Sequence, residues 1–254
     1  MTRTRERLAA DQFGPQAKAY VESAVHAQGV DLDELADIAR RTAPAHALDL
    51  GTGGGHVAYR LAAHARRVTA CDLSRSMLDA VAEEARVRGL ANLETSEAAA
   101  ERLPFADEAF DFLASRFSAH HWSDLEAGLR QARRVLRAGA PALFIDVCSP
   151  GTPALDTHLQ AVELLRDTSH VRNYSLAEWQ AALVRAGFVT RAARTWRLKM
   201  EFPVWIARMR TPEVQAAAIR ALQAAASAEV RAAFAIEPDG SFLLDVVLFE
   251  AAAG

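Results

Sequence analysis

Short apolar runs of strand length precede stretches with helical spacing at several places along the chain. The first run, Ala47–Leu50, meets a glycine-rich turn and then a helical pattern that begins at His56. Later apolar runs end near Asp72, Arg116 and Cys148. Repeated units of strand, turn and helix predict a mostly parallel sheet covered by helices on both faces. The predicted fold class is therefore α/β and doubly wound.

Polar residues mark the predicted starts of the helices. Asp31, Ser74 and Ser123 each precede or open a stretch with apolar residues at helical spacing, and we interpret them as helix caps. Ser175 is followed three residues later by Glu178, which is the pattern of a capping box. Residues 203–236 form an alanine-rich helical stretch with room for two helices.

The turn after the first strand contains four glycines in five residues. Glycine lets the backbone approach a ligand closely because it has no side chain. Asp72 lies about twenty residues further on, at the end of the second apolar run, where an acid accepts hydrogen bonds from both ribose hydroxyls of a nucleoside cofactor. The spacing from Asp49 to Gly55 is D-x-G-x-G-x-G, which departs from the dinucleotide fingerprint G-x-G-x-x-G.

These residues resemble the first motif of class I S-adenosylmethionine (SAM)-dependent methyltransferases of type 11, which include the ubiquinone- and menaquinone-biosynthesis enzymes. The segment Ala98–Phe105 and the sequence His120-His121-Trp122 also resemble motifs of this group. The resemblance implies a seven-stranded, Rossmann-like sheet in the order 3-2-1-4-5-7-6 with an antiparallel last strand. It also implies SAM as cofactor, S-adenosylhomocysteine as product and a small-molecule methyl acceptor.

The resemblance further assigns the cofactor-binding residues. Asp49 is expected to hold the ammonium end of SAM, the glycine loop its carboxylate, and Asp72 its ribose. Ala99 replaces an aspartate that accepts a hydrogen bond from the adenine amino group in the family, a loss of about 0.5–1.5 kcal/mol. The Ala100 amide and the Glu101 carboxylate are the candidates to compensate. The full expected set is Tyr20, Asp49, Gly51, Thr52, Gly53, Gly55, Asp72, Leu73, Met77, Ala99, Ala100, Glu101, Arg116 and Phe117.

His120 and His121 follow the fourth predicted strand, at the edge of the sheet where ligands bind in open α/β folds. A histidine with a near-neutral pKa accepts a proton from a substrate as a methyl group is added, so both are candidate catalytic residues, with His121 ahead. The alternative is a polar turn with one satisfied, buried imidazole. A metal site is disfavoured, because adjacent histidines seldom both act as ligands.

The resemblance divides the chain into four parts. Residues 1–42 are interpreted as lid helices, with Phe13, Tyr20 and His26 as inward-facing candidates, and residues 43–148 as the SAM-binding core. Residues 149–174 are a substrate-side insertion, and residues 175–254 complete the sheet around the helical insertion 203–236. Trp122, Asp167, His170 and Arg172 are the candidate substrate-binding residues; Trp205, Met209 and Arg208 or Arg210 are expected nearest the substrate in a cap. The alternatives are a solvated loop at 166–174 and a packing layer or dimer face in place of the cap.

Composition narrows the functional classes. The 254 residues carry a net charge of −3, and no basic run with aromatic residues is present, which disfavours nucleic-acid binding. Cys71 and Cys148 end predicted strands and are expected to be buried thiols in a reducing compartment. The polar N-terminus and the absence of a long apolar run predict neither a signal peptide nor a membrane span, so a cytoplasmic monomer or homodimer is expected.

Two functional alternatives remain at the level of sequence. One is a SAM-fold protein that binds without catalysing, which the alanine at position 99 leaves open. The other is a nicotinamide-dependent Rossmann oxidoreductase, which the glycine spacing disfavours. Within the methyltransferase interpretation, transfer to oxygen, nitrogen or carbon is left open.

Overall fold

A computed structural model of the chain describes Gln12 and residues 29–254. The predictions for Phe13, Tyr20 and His26 lie outside the described residues. The described part contains one seven-stranded sheet in the order β3-β2-β1-β4-β5-β7-β6, which confirms the predicted order. The strands are β1 (Ala47–Leu50), β2 (Val68–Asp72), β3 (Leu93–Glu97), β4 (Phe112–Arg116), β5 (Pro141–Cys148), β6 (Phe188–Met200) and β7 (Phe242–Ala253).

The five strands from β3 to β5 in the sheet are parallel, and β7 runs antiparallel to both of its neighbours, β5 and β6. The central strands are buried on both faces, which explains their continuous apolar sequences. The edge strand β6 alternates polar and apolar residues because one of its faces meets solvent. The antiparallel last strand is therefore confirmed.

Helices cover both faces of the sheet. Within the described residues they are α1 (Val30–Thr42), α2 (His56–Ala62), α3 (Arg75–Val87), α4 (Leu125–Val135), α5 (Pro153–Arg166), α6 (Leu176–Arg185), α7 (Phe202–Arg208), α8 (Glu213–Ala224) and α9 (Ala228–Phe234), with a 3₁₀ turn at Ala119–His121. None of the helices between Gly29 and Gly254 is long and apolar enough to cross a lipid bilayer.

The helical insertion contains three helices, α7 to α9, so the expectation of two was wrong. Ser227 accepts a hydrogen bond from the Val230 amide and starts a separate helix inside the alanine-rich run. α7 is short because Pro212 follows it within a few residues and sets the start of α8. The three helices pack over one end of the sheet, where an apolar cluster includes Trp205, Ile219 and Leu244.

Two of the four predicted helix caps are confirmed and two are wrong. Ser74 caps α3, and Ser175 forms the capping box with Glu178. α1 is preceded by Gly29, because Asp31 lies inside the first turn and its carboxylate pairs with Arg116 instead. α4 is capped by Asp124, whose carboxylate accepts from the Ala127 amide, rather than by Ser123.

Both cysteines are buried free thiols, as expected. Burial raises the pKa of Cys71 to about 12 and that of Cys148 to about 11. They therefore act as small apolar side chains within the sheet.

Candidate active site

A cavity of about 300 Å³ lies at the carboxyl ends of β1, β2, β4 and β5 and continues under α5 and α7. It is lined by most of the residues expected from sequence: Asp49, Gly51, Thr52, Gly53, Asp72, Leu73, Met77, Ala99, Ala100, Glu101, Arg116, Phe117, His120, His121, Trp122 and Asp167. Gly55, His170 and Arg172 do not line it. Tyr20 lies outside the described residues. One continuous space thus joins the glycine loop to the histidines.

Gly51, Gly53 and Gly55, which alternate along the loop after β1, have different roles. All three have positive φ, between 49° and 81°, which favours glycine. A Cβ atom at Gly51 would lie 1.8 Å from Ser118 Oγ, and one at Gly55 would lie 2.6 Å from the Tyr59 ring. A Cβ atom at Gly53 would meet nothing within 4 Å. Gly51 and Gly55 are therefore required for packing within the protein, whereas Gly53 borders the open cavity.

Asp49 is almost fully buried beneath this loop. One carboxylate oxygen, Oδ2, accepts hydrogen bonds from Thr52 Oγ1 at 2.6 Å and from the Ala58 amide at 3.0 Å. The other oxygen, Oδ1, is buried without a hydrogen-bond partner among the described residues. Burial raises the pKa of Asp49 to about 7, despite the hydrogen bond from Thr52. A buried, half-satisfied carboxylate of this kind favours a cationic ligand.

Asp72 points at the glycine loop. Its Oδ2 accepts from the Gly53 amide at 2.9 Å, and its Oδ1 accepts from the Ser74 amide at 2.9 Å. Burial raises its pKa, and these two amides counteract the effect. Each carboxylate oxygen keeps a second lone pair for a ligand donor. The carboxylate is thus fixed beside the open space at Gly53.

Ala99 and Ala100 lie at the same end of the cavity and present only methyl groups and main chain. Glu101 also lines the cavity, and its Oε1 accepts from the Ser123 amide at 2.6 Å and from the Asp124 amide at 3.2 Å. The Glu101 carboxylate therefore anchors the turn before α4. Its substitution for the aspartate toward adenine stays a prediction.

Arg116 and Phe117 close the side of the cavity next to α1. The buried Arg116 guanidinium pairs with the Asp31 carboxylate from the first turn of α1. It also lies over the Phe117 ring, 4.8 Å from the centroid. Gly29, Val30 and Asp31 line the cavity too. This ion pair fixes the start of α1 against the sheet beside the loop.

The two histidines have different surroundings. His120 Nδ1 donates to the Asp146 carboxylate on β5 at 2.6 Å. Burial disfavours a charge on His120, but the Asp146 carboxylate outweighs it and raises the His120 pKa. His121 lies 4.2 Å from His120, centroid to centroid, and its pKa is lowered first by burial and then by the charge on His120. The Asp146 carboxylate thus favours the charged form of His120, whereas burial and the charge on His120 favour the neutral form of His121.

The substrate-side expectations have mixed outcomes. Asp167 faces His121 Nε2 at 3.9 Å and is held by Ser169, so it belongs to the cavity wall. Trp122 lines the cavity, and its indole donates to Ser118 Oγ at 3.1 Å.

His170 and Arg172 are used elsewhere. His170 Nε2 pairs with the side chain of Gln160 at 2.8 Å. Arg172 binds the carboxylates of Asp156 and Glu178 at 3.1 and 3.0 Å. Its guanidinium therefore joins α5 to α6 outside the cavity. Neither residue is placed to meet a ligand in the cavity.

Sequence reasoning missed part of the polar wall. The cavity is also lined by Glu163, Arg166 and Asn173. Asp146 does not line it but binds the ring of His120, which does. A signal was present for Glu163, since it lies four residues after the buried Leu159 on the apolar face of α5. Within the cap, Trp205, Arg208 and Met209 line the cavity, as the cap hypothesis expects, and Arg210 does not.

The residues at the loop end fit SAM. The unsatisfied Asp49 oxygen matches an ammonium group, the fixed Asp72 carboxylate matches ribose hydroxyls, and a Cβ atom at Gly53 would enter open space with no atom within 4 Å. Leu73 and Met77 supply apolar wall for a base. Among the described residues, no group of three or more histidine, cysteine or acidic side chains is arranged to hold a metal ion.

Comparison with known proteins identifies the family. A family described as methyltransferase domain matches residues 48–144. A methyltransferase of Bacillus subtilis (strain 168), YcgJ, is 33% identical over 200 residues, which cover 79% of each chain. The chain belongs to the class I methyltransferase family. The crystal structure of YcgJ superposes with a TM-score of 0.81 at 30% identity, covering 87% of this methyltransferase and 98% of YcgJ.

Two further relatives are similar to this methyltransferase over different lengths. YafE of Escherichia coli (strain K12) is 47% identical over 201 residues, which cover 79% of this methyltransferase and 97% of YafE. The ubiquinone/menaquinone biosynthesis C-methyltransferase UbiE of Rhizobium meliloti (strain 1021) is 36% identical over 118 residues, covering 45% of this chain and 46% of UbiE. The similarity to UbiE is thus confined to less than half of either chain.

Proposed function

We propose that this methyltransferase transfers the methyl group of SAM to a small molecule bound beneath α5 and α7. The observation that carries the proposal is the pair of fixed carboxylates, Asp49 and Asp72, which line the same cavity as the open space at Gly53. A nucleoside with an amino-acid end matches this pair, because its ammonium group suits Asp49 and its ribose hydroxyls suit Asp72. The family gives the same chemistry to its members.

When bound, SAM supplies a methyl group activated by a positively charged sulfur. The chain's own contribution is to bind and orient the two reactants. Asp49 neutralises the ammonium group, Asp72 accepts from the ribose hydroxyls, and Leu73 and Met77 enclose the base. Holding two reactants in one geometry removes much of the entropic cost of their encounter.

The acceptor end of the cavity supports a small acceptor that has both polar and apolar parts. Trp196, Trp205 and Met209 give the cavity apolar lining, and His121, Asp167 and Asn173 give it polar lining. The UbiE relative, named for the methylation of ubiquinone and menaquinone precursors on carbon, supports a small molecule as substrate. Where the acceptor loses a proton on methylation, His121 is our candidate to accept it, as a weak base, because burial lowers its pKa to about 4.

Calorimetry with SAM and with S-adenosylhomocysteine tests the cofactor. We expect both to bind, and Asp72→Asn to weaken the binding of both by at least about tenfold, since each hydrogen bond to a charged acceptor contributes about 1.5–3 kcal/mol. Asp79→Asn is the matched control, because Asp79 pairs with Arg75 on the exposed face of α3. Failure of both ligands to bind wild-type protein at millimolar concentration would remove the proposal.

Methyl transfer itself is tested with labelled SAM and a panel of small phenols, enols, amines and carboxylates. We expect His121→Ala to leave SAM affinity within about twofold and to lower turnover by about 10²-fold or more, the usual contribution of a general base. SAM binding with no transfer to any compound of a broad panel would favour the alternative, a protein that binds SAM without catalysis.

A further inference from the structure

Asn173 lies in the loop between α5 and α6 and lines the cavity, and it is 1% exposed to solvent. Neither its side-chain Nδ2 nor its Oδ1 has a hydrogen-bond partner among the described residues. Buried amides are normally hydrogen-bonded, because an unpaired donor or acceptor keeps the full cost of leaving water. An unpaired, buried amide in the cavity wall therefore points to a ligand as its partner.

The main chain around Asn173 is fixed to two neighbouring elements. The Gln160 side chain on α5 donates from Nε2 to the Asn173 carbonyl at 2.7 Å and accepts at Oε1 from the Asn173 amide at 3.0 Å. Just before it, the Val171 and Arg172 amides donate to the His120 carbonyl at 2.8 and 3.2 Å. The unpaired side-chain amide is thus carried by a main chain that is bound to both α5 and the 3₁₀ turn.

An asparagine side chain offers a hydrogen-bond donor and an acceptor next to each other. Both atoms are matched by a molecule that carries an acceptor and a donor at neighbouring positions, as a cyclic amide or a hydroxy-carbonyl compound does. We propose that Asn173 binds the methyl acceptor through such a neutral donor–acceptor pair and thereby selects acceptors of this class. This inference rests on the proposed function, because it assigns the acceptor class of that same site.

The charged groups at the acceptor end of the cavity support a neutral ligand. Between residues 147 and 244, the lining contains two carboxylates, Glu163 and Asp167, and two guanidinium groups, Arg166 and Arg208. These charges balance, so this part of the lining favours neither an anion nor a cation. The Glu163 carboxylate and the Arg166 guanidinium also lie only 3.6 Å apart and offset each other.

The two asparagines of the chain, Asn92 and Asn173, make the proposal directly measurable. Labelling with ¹⁵N-asparagine gives NMR signals from these two side-chain amides alone. Asn92 is the internal control, because its Nδ2 donates to the Ala62 and Ala65 carbonyls at 2.9 and 3.0 Å and it does not line the cavity. The probe is 2-pyridone, a neutral ring with adjacent N–H and C=O groups.

In protein saturated with S-adenosylhomocysteine, we expect millimolar 2-pyridone to shift the side-chain amide signals of Asn173 and to leave those of Asn92 unchanged. N-methyl-2-pyridone and benzoate are the matched probes, since neither has a donor for the Asn173 oxygen. Each should bind more weakly than 2-pyridone by about threefold or more, the effect of one lost hydrogen bond.

Asn173→Leu removes both hydrogen-bonding atoms and keeps a side chain of similar size. The variant should bind 2-pyridone at least about tenfold more weakly by ligand-detected NMR, the effect of two lost hydrogen bonds. Its free energy of unfolding should equal or exceed that of wild type, because an unpaired buried amide adds no stability. A purely structural role for Asn173 would give the opposite pair of results. The titration of wild-type protein stands whether or not the variant folds.

The inference is overturned if 2-pyridone leaves the Asn173 signals unmoved, or if folded Asn173→Leu binds 2-pyridone as tightly as wild type. It is also overturned if S-adenosylhomocysteine alone shifts these signals as much as 2-pyridone does, because the cofactor would then be the partner of the amide. Calorimetry with S-adenosylhomocysteine separates the two proposals. Absence of its binding rejects the proposed function, whereas its binding together with unmoved Asn173 signals rejects only the acceptor class.

Discussion

At the scale of single residues, Gly51 and Gly53 show why the same residue type is required for two reasons in one loop. Both have positive φ, 76° and 49°. At Gly51 the space for a side chain is occupied by Ser118, and at Gly53 it is empty. Gly51 is therefore required for packing within the protein, and Gly53 leaves open space in the cavity.

This difference predicts opposite outcomes for two alanine variants. Gly51→Ala should lower the free energy of unfolding by about 3 kcal/mol, the sum of a positive-φ cost and an overlap with Ser118. Gly53→Ala should cost only about 1–2 kcal/mol for the positive φ. However, Gly53→Ala should weaken SAM binding by at least about tenfold, because the new methyl group enters the ligand space. Urea unfolding and calorimetry check the pair, and intact SAM binding by Gly53→Ala would contradict the assignment.

A second prediction at this scale concerns Asp49, whose pKa is raised to about 7 by burial. The folded state then keeps a proton that the unfolded state releases near its ordinary pKa, so stability from this group is lost as the pH rises from about 4 to about 7. Asp49→Asn removes that loss. The difference in free energy of unfolding, variant minus wild type, should therefore increase as the pH rises from about 5 to about 8.

Urea unfolding at the two pH values measures this change, with Asp79→Asn as the exposed control. A stability difference between Asp49→Asn and wild type that is the same at both pH values would show that Asp49 titrates normally. Calorimetry of SAM in buffers of different ionisation enthalpy gives a second check. A cationic ligand beside Asp49 should release protons on binding near pH 7.

Residues within one local motif could be predicted from the sequence, and residues assembled by the tertiary fold could not. Asp49, Gly53 and Asp72 follow from strand, turn and strand in a fixed spacing. Asp146 and Asn173 depend on how β5 and the loop after α5 are placed against the 3₁₀ turn. The sequence shows that Asp146 lies within an apolar run, but it does not show which histidine that carboxylate meets.

At the scale of elements, the start of α1 is held by one ion pair that the capping rules did not anticipate. Asp31 has the position of an acidic first-turn residue, which usually interacts with the helix dipole. Here its buried carboxylate meets Arg116 at the end of β4. The contact joins α1 to the central sheet at the edge of the cavity.

Breaking this pair should be costly because it leaves a buried guanidinium without its carboxylate. Asp31→Ala should lower the free energy of unfolding by about 3 kcal/mol. Asp33→Ala, two residues along, should cost less than about 1 kcal/mol, because its pair with Arg60 is exposed. Equal losses in the two variants, measured by urea unfolding, would show that the Asp31–Arg116 pair contributes no more than a surface contact.

The elements themselves were largely predictable. The capping box at Ser175 is a local signal and gave the right structure. The number of helices in the insertion was underestimated, because an alanine-rich run has high helical propensity even where one helix ends and the next begins. Only the capping hydroxyl of Ser227 marks the boundary, and serine is common inside helices as well.

At the scale of the whole molecule, the two ends of the cavity come from different halves of the chain. The loop end is built by residues from Gly29 to Ser123, and most of the acceptor end is built by residues from Val147 to Leu244. The 3₁₀ turn Ala119–His121, with its two histidines, lies near the end of the first range. In the proposed function, one half binds the cofactor, and the insertion and α5 contact the acceptor.

The division predicts that binding and turnover separate between the two halves. Trp205 is buried in the cap, lines the cavity and contacts the Phe242 ring edge-on at 5.0 Å. Trp205→Phe keeps an apolar ring and limits the cavity that alanine would leave. We expect this variant to leave SAM affinity within about twofold and to raise the KM for the acceptor by about tenfold, as a lost aromatic contact would.

Asp72→Asn should show the reverse, with weaker SAM binding and an acceptor KM that changes little at saturating SAM. Trp179→Phe is the matched control for the tryptophan change, since Trp179 is equally buried but packs between α6 and the sheet, away from the cavity. A change in SAM affinity from Trp205→Phe as large as that from Asp72→Asn would mean that the cap contacts the cofactor. The acceptor would then have to enter from the side of α1, where the Asp31–Arg116 pair would form part of its binding site.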